Sequence, residues 1–406
     1  MGLSNRGRAM LSEGSPLVEA HFAVAADPWS PENPDGYINL GTAENHLLFD
    51  LLEPRLTAAR PVLEGDTHYQ QLYGAASFRA ELARFLGQLQ GDEVDPEDLV
   101  VVGGTSVVLE ILAHALCDPG EAIIVPTPYY AGLDDDFGGR AGVRVFPAPL
   151  DGFTLTADAI ARAIASARSA GLTVRAVCLL SPDNPMGQVY DETTLRAVAE
   201  VVMAEGLQLI VDEIYAGSSY GAPFVSAATL VPDVVPPERL HLGWGFAKDF
   251  GLSGFKVGVL RTRDPEVRAV ARQLAMFGPV SSDTQVFLRD LLADEEWTAT
   301  LLRENVARLA AAYENVVKVL GEHGIDVLPA AAGLFVWIDL RPWLAEPTFE
   351  AELALWRRLF DEAKVNISPG AVFHSSEPGW FRLCFATSAD TVRTAVERLG
   401  QTLSQA

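Results

Sequence analysis

The sequence predicts an α/β protein: a mostly parallel seven-stranded sheet with helices on both faces, joined to a smaller α+β domain. Three observations predict it. Short apolar runs alternate with amphipathic helical stretches between residues 99 and 262, long helical patterns with few strands take over after about residue 265, and 406 residues exceed what one ordinary core organises. The runs lie at 99–104, 121–126, 143–147, 174–180, 208–212, 240–245 and 256–261. Their near-continuous Val, Ile and Leu content suits strands buried on both faces. After the first run, 106–117 places Val107, Val108, Ile111, Leu112, Ala115 and Leu116 on one stripe, which predicts an amphipathic helix. Alternation of this kind puts a ligand site at the carboxyl ends of the strands.

Farther along, helical patterns cover 264–276, 282–292, 295–324 and 349–364, with strand-like runs at 333–340 and 380–385. The expected division is a large domain at 55–290 and a small one made of 1–54 and 291–406, the Pro- and Gly-rich stretch around 28–36 wrapping onto the latter.

Composition narrows the class. With 49% hydrophobic and 21% charged residues the chain reads as globular rather than disordered. The start Met1-Gly-Leu-Ser-Asn-Arg6 leads into polar residues, so no signal peptide is expected, and no long uncharged apolar stretch suggests a membrane span. Cys117, Cys178 and Cys384 are far apart in apolar segments, which suggests inert core thiols in a reducing cytoplasm and neither a disulfide frame nor a metal site. A formal charge of −24 argues against nucleic acid, whose phosphates need clustered Lys and Arg. Only four lysines are present, Lys248, Lys256, Lys318 and Lys364, so each invites the question why it is not an arginine.

Several strand ends carry polar residues. Val101-Val-Gly-Gly-Thr-Ser106 runs through two glycines into a helix whose first N–H groups suit an anion, although a bare βα turn produces the same pattern. Pro126-Thr-Pro-Tyr-Tyr130 sets aromatic rings where a flat ligand could stack, or where tyrosines simply rim a core. Ser181-Pro-Asp-Asn-Pro-Met-Gly187 is a turn holding Asn184. Val211-Asp-Glu-Ile-Tyr215 ends a strand with a carboxylate that, once buried, needs a partner such as a protonated pyridine nitrogen. Lys248 stands just past the strand at 240–245, and Lys256 follows eight residues later in a glycine-rich turn. Together and in this order these features describe pyridoxal 5′-phosphate (PLP). A desolvated lysine amine condenses with the aldehyde, and a carboxylate keeps the pyridine nitrogen protonated so that the ring withdraws electrons. Asn and Tyr hold the phenolic oxygen, an aromatic ring stacks, and a helix N-terminus with a cation takes the phosphate.

This constellation resembles the fold-type I PLP enzymes of the aspartate aminotransferase superfamily over nearly the whole chain. The resemblance implies that Lys248 forms the Schiff base, Asp212 pairs with the pyridine nitrogen, Asn184 and Tyr215 contact the phenolic oxygen, and Tyr130 rather than Tyr129 stacks. It further implies that Thr105, Ser106 and Lys256 hold the phosphate, and that Arg382 grips a substrate carboxylate with its fork. Longer segments are similar to one branch, the 1-aminocyclopropane-1-carboxylate (ACC) synthases. They are Ile38-Asn-Leu-Gly-Thr-Ala-Glu-Asn-His-Leu-Leu-Phe-Asp50, the stretch 117–130, Ala332-Gly-Leu-Phe-Val-Trp-Ile-Asp-Leu-Arg341, and 366–382 with Phe373-His374 and Glu377-Pro-Gly-Trp-Phe-Arg382. That likeness implies S-adenosylmethionine as substrate, with Glu44 beside the sulfonium, although a helix cap is the alternative reading of Glu44. It also implies a homodimer with shared active sites.

Departures from the family sit around the cofactor. Gly245 and Ala247 stand where hydroxyl-bearing residues precede the Schiff-base lysine, Lys256 replaces an arginine, and Val107 replaces a glycine. The tyrosine that the family sends across the dimer is Leu72 here, with Tyr73 beside it as the candidate cofactor contact. The expected reaction is α-deprotonation by Lys248 and Cγ–S cleavage releasing methylthioadenosine. The product is either ACC or an adduct of a vinylglycine-type species with a second small-molecule substrate, as suits secondary metabolism. An amino-acid aminotransferase using the same Lys248, Asp212 and Arg382 is the alternative. A non-catalytic regulator would need a DNA-binding domain for which the chain has neither length nor basic surface.

Overall fold

The structure, a computed structural model, describes residues 2–4, 7–8, 16–60, 62–230 and 232–405. Of the N-terminal start read as lacking an apolar leader, residues 1, 5–6 and 9–15 lie outside the described residues. Among the described residues no helix is long and apolar enough to cross a membrane.

Thirteen strands are described, numbered in chain order. Strand β1 is Ile38–Asn39. The next seven, β2 (Leu99–Val102), β3 (Ala122–Thr127), β4 (Arg144–Pro149), β5 (Val174–Leu180), β6 (Gln208–Asp212), β7 (Leu240–Gly245) and β8 (Gly258–Thr262), form one sheet in the order β2-β8-β7-β6-β5-β3-β4. All seven correspond to the apolar runs of the sequence. Every pairing from β7 across to β4 is parallel; β8 alone is antiparallel to its neighbours, β7 and β2. Strand β8 starts two residues later than the run at 256–261 because Lys256 takes a left-handed backbone conformation, φ 52°, which a strand does not tolerate.

Both faces of this sheet are covered, which explains why the strands read as unbroken apolar runs. Along β5, Val177 and Leu179 face the helices Ala157–Ser169 and Glu192–Ala204, while Cys178 and Leu180 face the helix Thr105–Leu116. That last helix is buried more widely than the single stripe expected. Leu109 and Ala113 are also inside, whereas Val107 and Ala115 are only partly covered, because the helix packs on neighbouring helices as well as on the sheet.

The C-terminal lobe holds β9 (Asp326–Leu328), β10 (Phe335–Asp339), β11 (Val365–Asn366), β12 (Ser368–Pro369) and β13 (Trp380–Cys384). Four of these make an antiparallel sheet in the order β12-β13-β10-β9, and β11 pairs in parallel with β1. Only β10 and β13 were readable as runs; two- and three-residue strands carry no periodicity. The N-terminal segment packs here. Leu40 O accepts from Cys384 N at 2.7 Å, Lys364 Nζ donates to Tyr37 Oη at 2.9 Å, and Ala20, Val24, Ile38 and Leu40 join the core of Leu309, Phe335, Trp356 and Phe381. Cys117, Cys178 and Cys384 are buried and free.

Behind the strand ends lie buried carboxyls. Asp183 accepts from Met186 N at 2.9 Å and Tyr190 Oη at 3.2 Å, and burial still pushes its pKa to about 7. Glu213, held by Ser226 and Gln90, is likewise pushed to about 7, and Asp249 to about 6. Each binds a proton in the folded state that the unfolded chain has released. Their contribution to stability is therefore complete below about pH 4 and lost as the pH rises through 7. We expect Asp183→Asn to flatten the pH dependence of unfolding between pH 5 and 7 by up to about 1.4 kcal/mol per pH unit. Urea unfolding of the cofactor-free protein measures this, and superimposable wild-type and variant slopes would contradict it.

Candidate active site

The carboxyl ends of β3, β5, β6 and β7 open into a cavity of about 450 Å³ that the N-terminal segment and β13 close from the other side. Ten of the eleven residues singled out in the sequence line it: Glu44, Thr105, Ser106, Tyr130, Asn184, Asp212, Tyr215, Lys248, Lys256 and Arg382.

Lys248 sits on the short helix Phe246–Asp249 that follows β7 directly. The next residue anchors that helix: Asp249 accepts from Gly217 N at 2.9 Å, Ser218 Oγ at 2.7 Å and Trp244 Nε1 at 3.0 Å. From the other side Asn45 Nδ2 donates to Lys248 O at 3.2 Å and to Asn305 Oδ1 at 2.8 Å. The amine is thus aimed into the cavity, where it donates to Ala43 O at 2.6 Å. Burial, seconded by the Arg382 charge, lowers its pKa to about 8, so a sizeable fraction is neutral and nucleophilic near neutrality.

Asp212 ends β6 at the floor. Its Oδ1 accepts from Ile214 N at 3.1 Å, the one side-chain hydrogen bond it makes among the described residues, and burial pushes its pKa to about 7. A buried carboxyl so sparsely satisfied is suited to a cationic partner. Asn184 stands on the turn held by Asp183, with its Oδ1 accepting from Arg382 Nη1 at 3.0 Å. Tyr215 packs edge-on against Phe335, ring centres 5.4 Å apart. The Tyr130 ring lies so close over Gly132 that a Cβ there would come within 2.4 Å of it, and burial raises its hydroxyl to about 12.

At the opposite end, helix Thr105–Leu116 begins without a side-chain cap, leaving its first N–H groups free for a ligand. Gly104 takes φ 108°, a conformation that favours glycine, and lies beside the Lys256 amine. The missing hydroxyl at 245 has a steric reason. A Cβ there would meet Val257 O at 2.6 Å and Thr105 Oγ1 at 3.0 Å, so the Thr105 hydroxyl stands beside the space that a side chain at 245 would need.

Arg382 on β13 donates through Nη2 to Gly41 O at 2.6 Å and lies between the rings of Phe335 (5.4 Å) and Phe373 (4.7 Å). Its buried Nε has no partner among the described residues, so donor capacity is left for a ligand carboxylate. Glu44 caps no helix, since Leu48 precedes the helix Phe49–Thr57. Its carboxylate pairs with His46 at 3.7 Å, and that imidazole outweighs burial and holds it below the usual range.

Tyr73 is not brought to the cavity of its own chain. Its ring is clamped between the guanidinium groups of Arg79 (4.9 Å) and Arg272 (4.5 Å), and its carbonyl accepts from Val101 N at 2.9 Å. Conversely, sequence reasoning missed His21, Phe22 and Asp136, which line the cavity. Asp136 belongs to an acidic triplet, and only the phase of helix Leu133–Gly138 shows which of the three turns inward.

A family model described as aminotransferase class I and II matches residues 36–399. The chain belongs to that family. Among curated relatives, 1-aminocyclopropane-1-carboxylate synthase 2 of Oryza sativa subsp. japonica is 39% identical over 410 residues, 95% of this chain and 84% of the relative. The synthase CMW33 of Cucurbita maxima is 37% identical over 426 residues, 98% and 86%. Of solved structures, Thermus thermophilus aspartate aminotransferase with maleate superposes with a TM-score of 0.81 at 24% identity, covering 99% of this chain and all of that one, which establishes the fold. This aminotransferase-family chain is therefore a fold-type I, PLP-dependent enzyme of ACC synthase type. The residues present fit the cofactor: an amine with a lowered pKa, a buried carboxyl with no ion-pair partner among the described residues, and an uncapped helix start beside Lys256.

In the cofactor-free protein we expect the Lys248 amine to react with an amine-directed acylating reagent with a midpoint near pH 8. Peptide mapping of the labelled lysine across a pH series checks this, and a midpoint above pH 10 would show that the cavity does not desolvate it.

Proposed function

We propose that this enzyme acts on S-adenosylmethionine, removing the α-proton and breaking the Cγ–S bond to release methylthioadenosine. The observation that carries this reading is the Glu44 carboxylate, held ionised in the same cavity as Lys248 and Arg382. A fixed negative charge there attracts a sulfonium and repels the side-chain carboxylate of a dicarboxylic amino acid. Sequence identity of 37–39% to ACC synthases over nearly the whole chain supports the same reading.

The division of labour follows from the cavity. Arg382 takes the substrate carboxylate with its guanidinium fork, its orientation set by Asn184 and the two flanking rings. Asp212 would pair with the pyridine nitrogen, Asn184 and Tyr215 with the phenolic oxygen, and Tyr130 would stack on the ring, while Thr105, Ser106 and Lys256 would hold the phosphate. PLP, when bound, supplies the electron sink for charge developing at the α-carbon. Lys248, the amine that would hold the cofactor, is also the base for the α-proton, and its lowered pKa suits that task. Methylthioadenosine leaves from Cγ. The product is ACC, by closure of the α-carbon onto Cγ, or an adduct at Cγ with a second small molecule after further proton loss at Cβ. The altered phosphate surroundings, with Gly245 and Ala247 lacking hydroxyls, are the reason both outcomes stand. The unit is proposed to be a homodimer, as the family likeness suggests.

Mass spectrometry of the holoenzyme with S-adenosylmethionine tests the reading, with methylthioadenosine as the expected product. Its appearance with ACC identifies an ACC synthase, and its appearance without ACC identifies a Cγ adduct route. Its absence, together with conversion of the enzyme's absorbance by an amino donor and 2-oxoglutarate, would replace the proposal with an aminotransferase. We further expect Lys248→Ala to abolish methylthioadenosine release, and Glu44→Gln to raise KM for S-adenosylmethionine by about fivefold to tenfold, roughly 1–1.4 kcal/mol. An unchanged KM would remove Glu44 from the sulfonium.

A further inference from the structure

Asp136 has no part in the roles assigned so far, yet it lines the cavity at the end given to the cofactor phosphate, next to Ser106 and Lys256. Its Oδ2 is sealed from solvent and has no hydrogen-bond partner among the described residues. A buried carboxylate oxygen without a donor is costly, and beside a phosphate carrying about −1.5 to −2 charges it would be opposed further. As a carboxylic acid the same group is useful, because it offers an O–H donor where Gly245 and Ala247 offer none.

The charges facing it favour that form. Asp135 on its own helix, Glu110 from helix Thr105–Leu116 and Asp212 at the end of β6 are all acidic, and Lys256 is the cation on the other side. Glu110 is itself engaged by Arg140, Nε to Oε1 3.1 Å. Burial pushes Asp136 up to about 6 before any phosphate is present, Asp135 and Glu110 adding to the rise while a hydrogen bond from Ser106 and the Lys256 charge hold it back.

We propose that Asp136 binds the cofactor phosphate as a neutral carboxylic acid, donating its O–H to a phosphate oxygen, so that cofactor binding takes up one proton from solvent. This rests on the placement of the phosphate at Thr105, Ser106 and Lys256. No bond is made or broken beyond protonation of the carboxylate. The phosphate end of the cavity is then a pH-sensitive grip: below pH 6 the acid is ready, whereas at pH 8 binding must first recover its proton. Asp136→Asn keeps a donor in the same place and removes the titration.

The test uses the cofactor-free enzyme and pyridoxine 5′-phosphate, whose alcohol does not react with Lys248, titrated by calorimetry from pH 5.5 to 8.5. Between pH 6.5 and 8 the wild-type affinity is expected to fall roughly tenfold or more beyond the fall seen in Asp136→Asn. At pH 8, buffers of different ionisation enthalpy are expected to show about one more proton taken up by the wild type. Parallel pH curves for the two proteins would overturn the proposal. So would Asp136→Asn binding weakly at every pH with the wild-type slope, the signature of a carboxylate that merely holds Lys256. Zero proton uptake by the wild type overturns it without any variant. Lys256→Ala tests the phosphate placement separately: weaker binding at every pH supports it, whereas unchanged affinity would remove the phosphate from this end and Asp136 from any contact with it.

Discussion

An amine kept largely out of water beside a second cation is the constraint on which the rest of this structure depends. Lys248 shares its cavity with Arg382, and each raises the cost of the other's charge. That arrangement persists only because the surrounding backbone is over-determined. Asp249 accepts three hydrogen bonds under the lysine, and Asn305 on the long helix Glu295–Glu322 donates to Gly217 O at 2.9 Å, tying the same loop from beneath. The core gives up apolar packing here for polar groups that must all be satisfied, and the described network nearly satisfies them.

Segment 41–45 transmits this constraint between the lobes. Within five residues it offers Gly41 O to Arg382, Ala43 O to Lys248, and the Asn45 amide to both the Lys248 carbonyl and Asn305. The cation proposed to position a substrate and the amine proposed to act on it are thereby registered against one short piece of chain. Glu44 belongs to that piece, and its carboxylate lines the same cavity. A second seam joins the lobes at the other edge of the cavity. His374 stacks on Tyr129 at 4.6 Å and bonds Asp134 at 2.6 Å, while Tyr129 N donates to Phe373 O at 2.9 Å. Phe373 in turn packs on Arg382, so Tyr129 and Arg382 share a support.

The phosphate end follows a different logic. Where the fold brings Gly245 against Val257 O and Thr105 Oγ1, no side chain fits, and the Thr105 hydroxyl of the facing helix stands beside that space. A contact of this kind between facing positions is invisible to a position-by-position reading. The same holds for Asp136, whose inward turn depends on helix phase.

Much of this was legible in the residues themselves. The seven buried strands announced themselves because a sheet covered on both faces leaves no polar period, and the residues around the cavity did so because strand ends at Ser106, Asn184, Asp212 and Lys248 carry polar groups that a core does not need. What the sequence by itself determined is thus the sheet, the chemistry of the site and the lysine at its centre, since local pattern and residue type decide these. The tertiary structure alone decided that Tyr73 is clamped by Arg79 and Arg272 away from its own cavity, and that Thr105 stands beside the space denied to a side chain at 245. It also decided that one aspartate of three turns inward, and that the backbone of 41–45 braces both cations. Those outcomes depend on contacts between residues as much as three hundred and forty positions apart, such as Gly41 with Arg382, which no local pattern encodes.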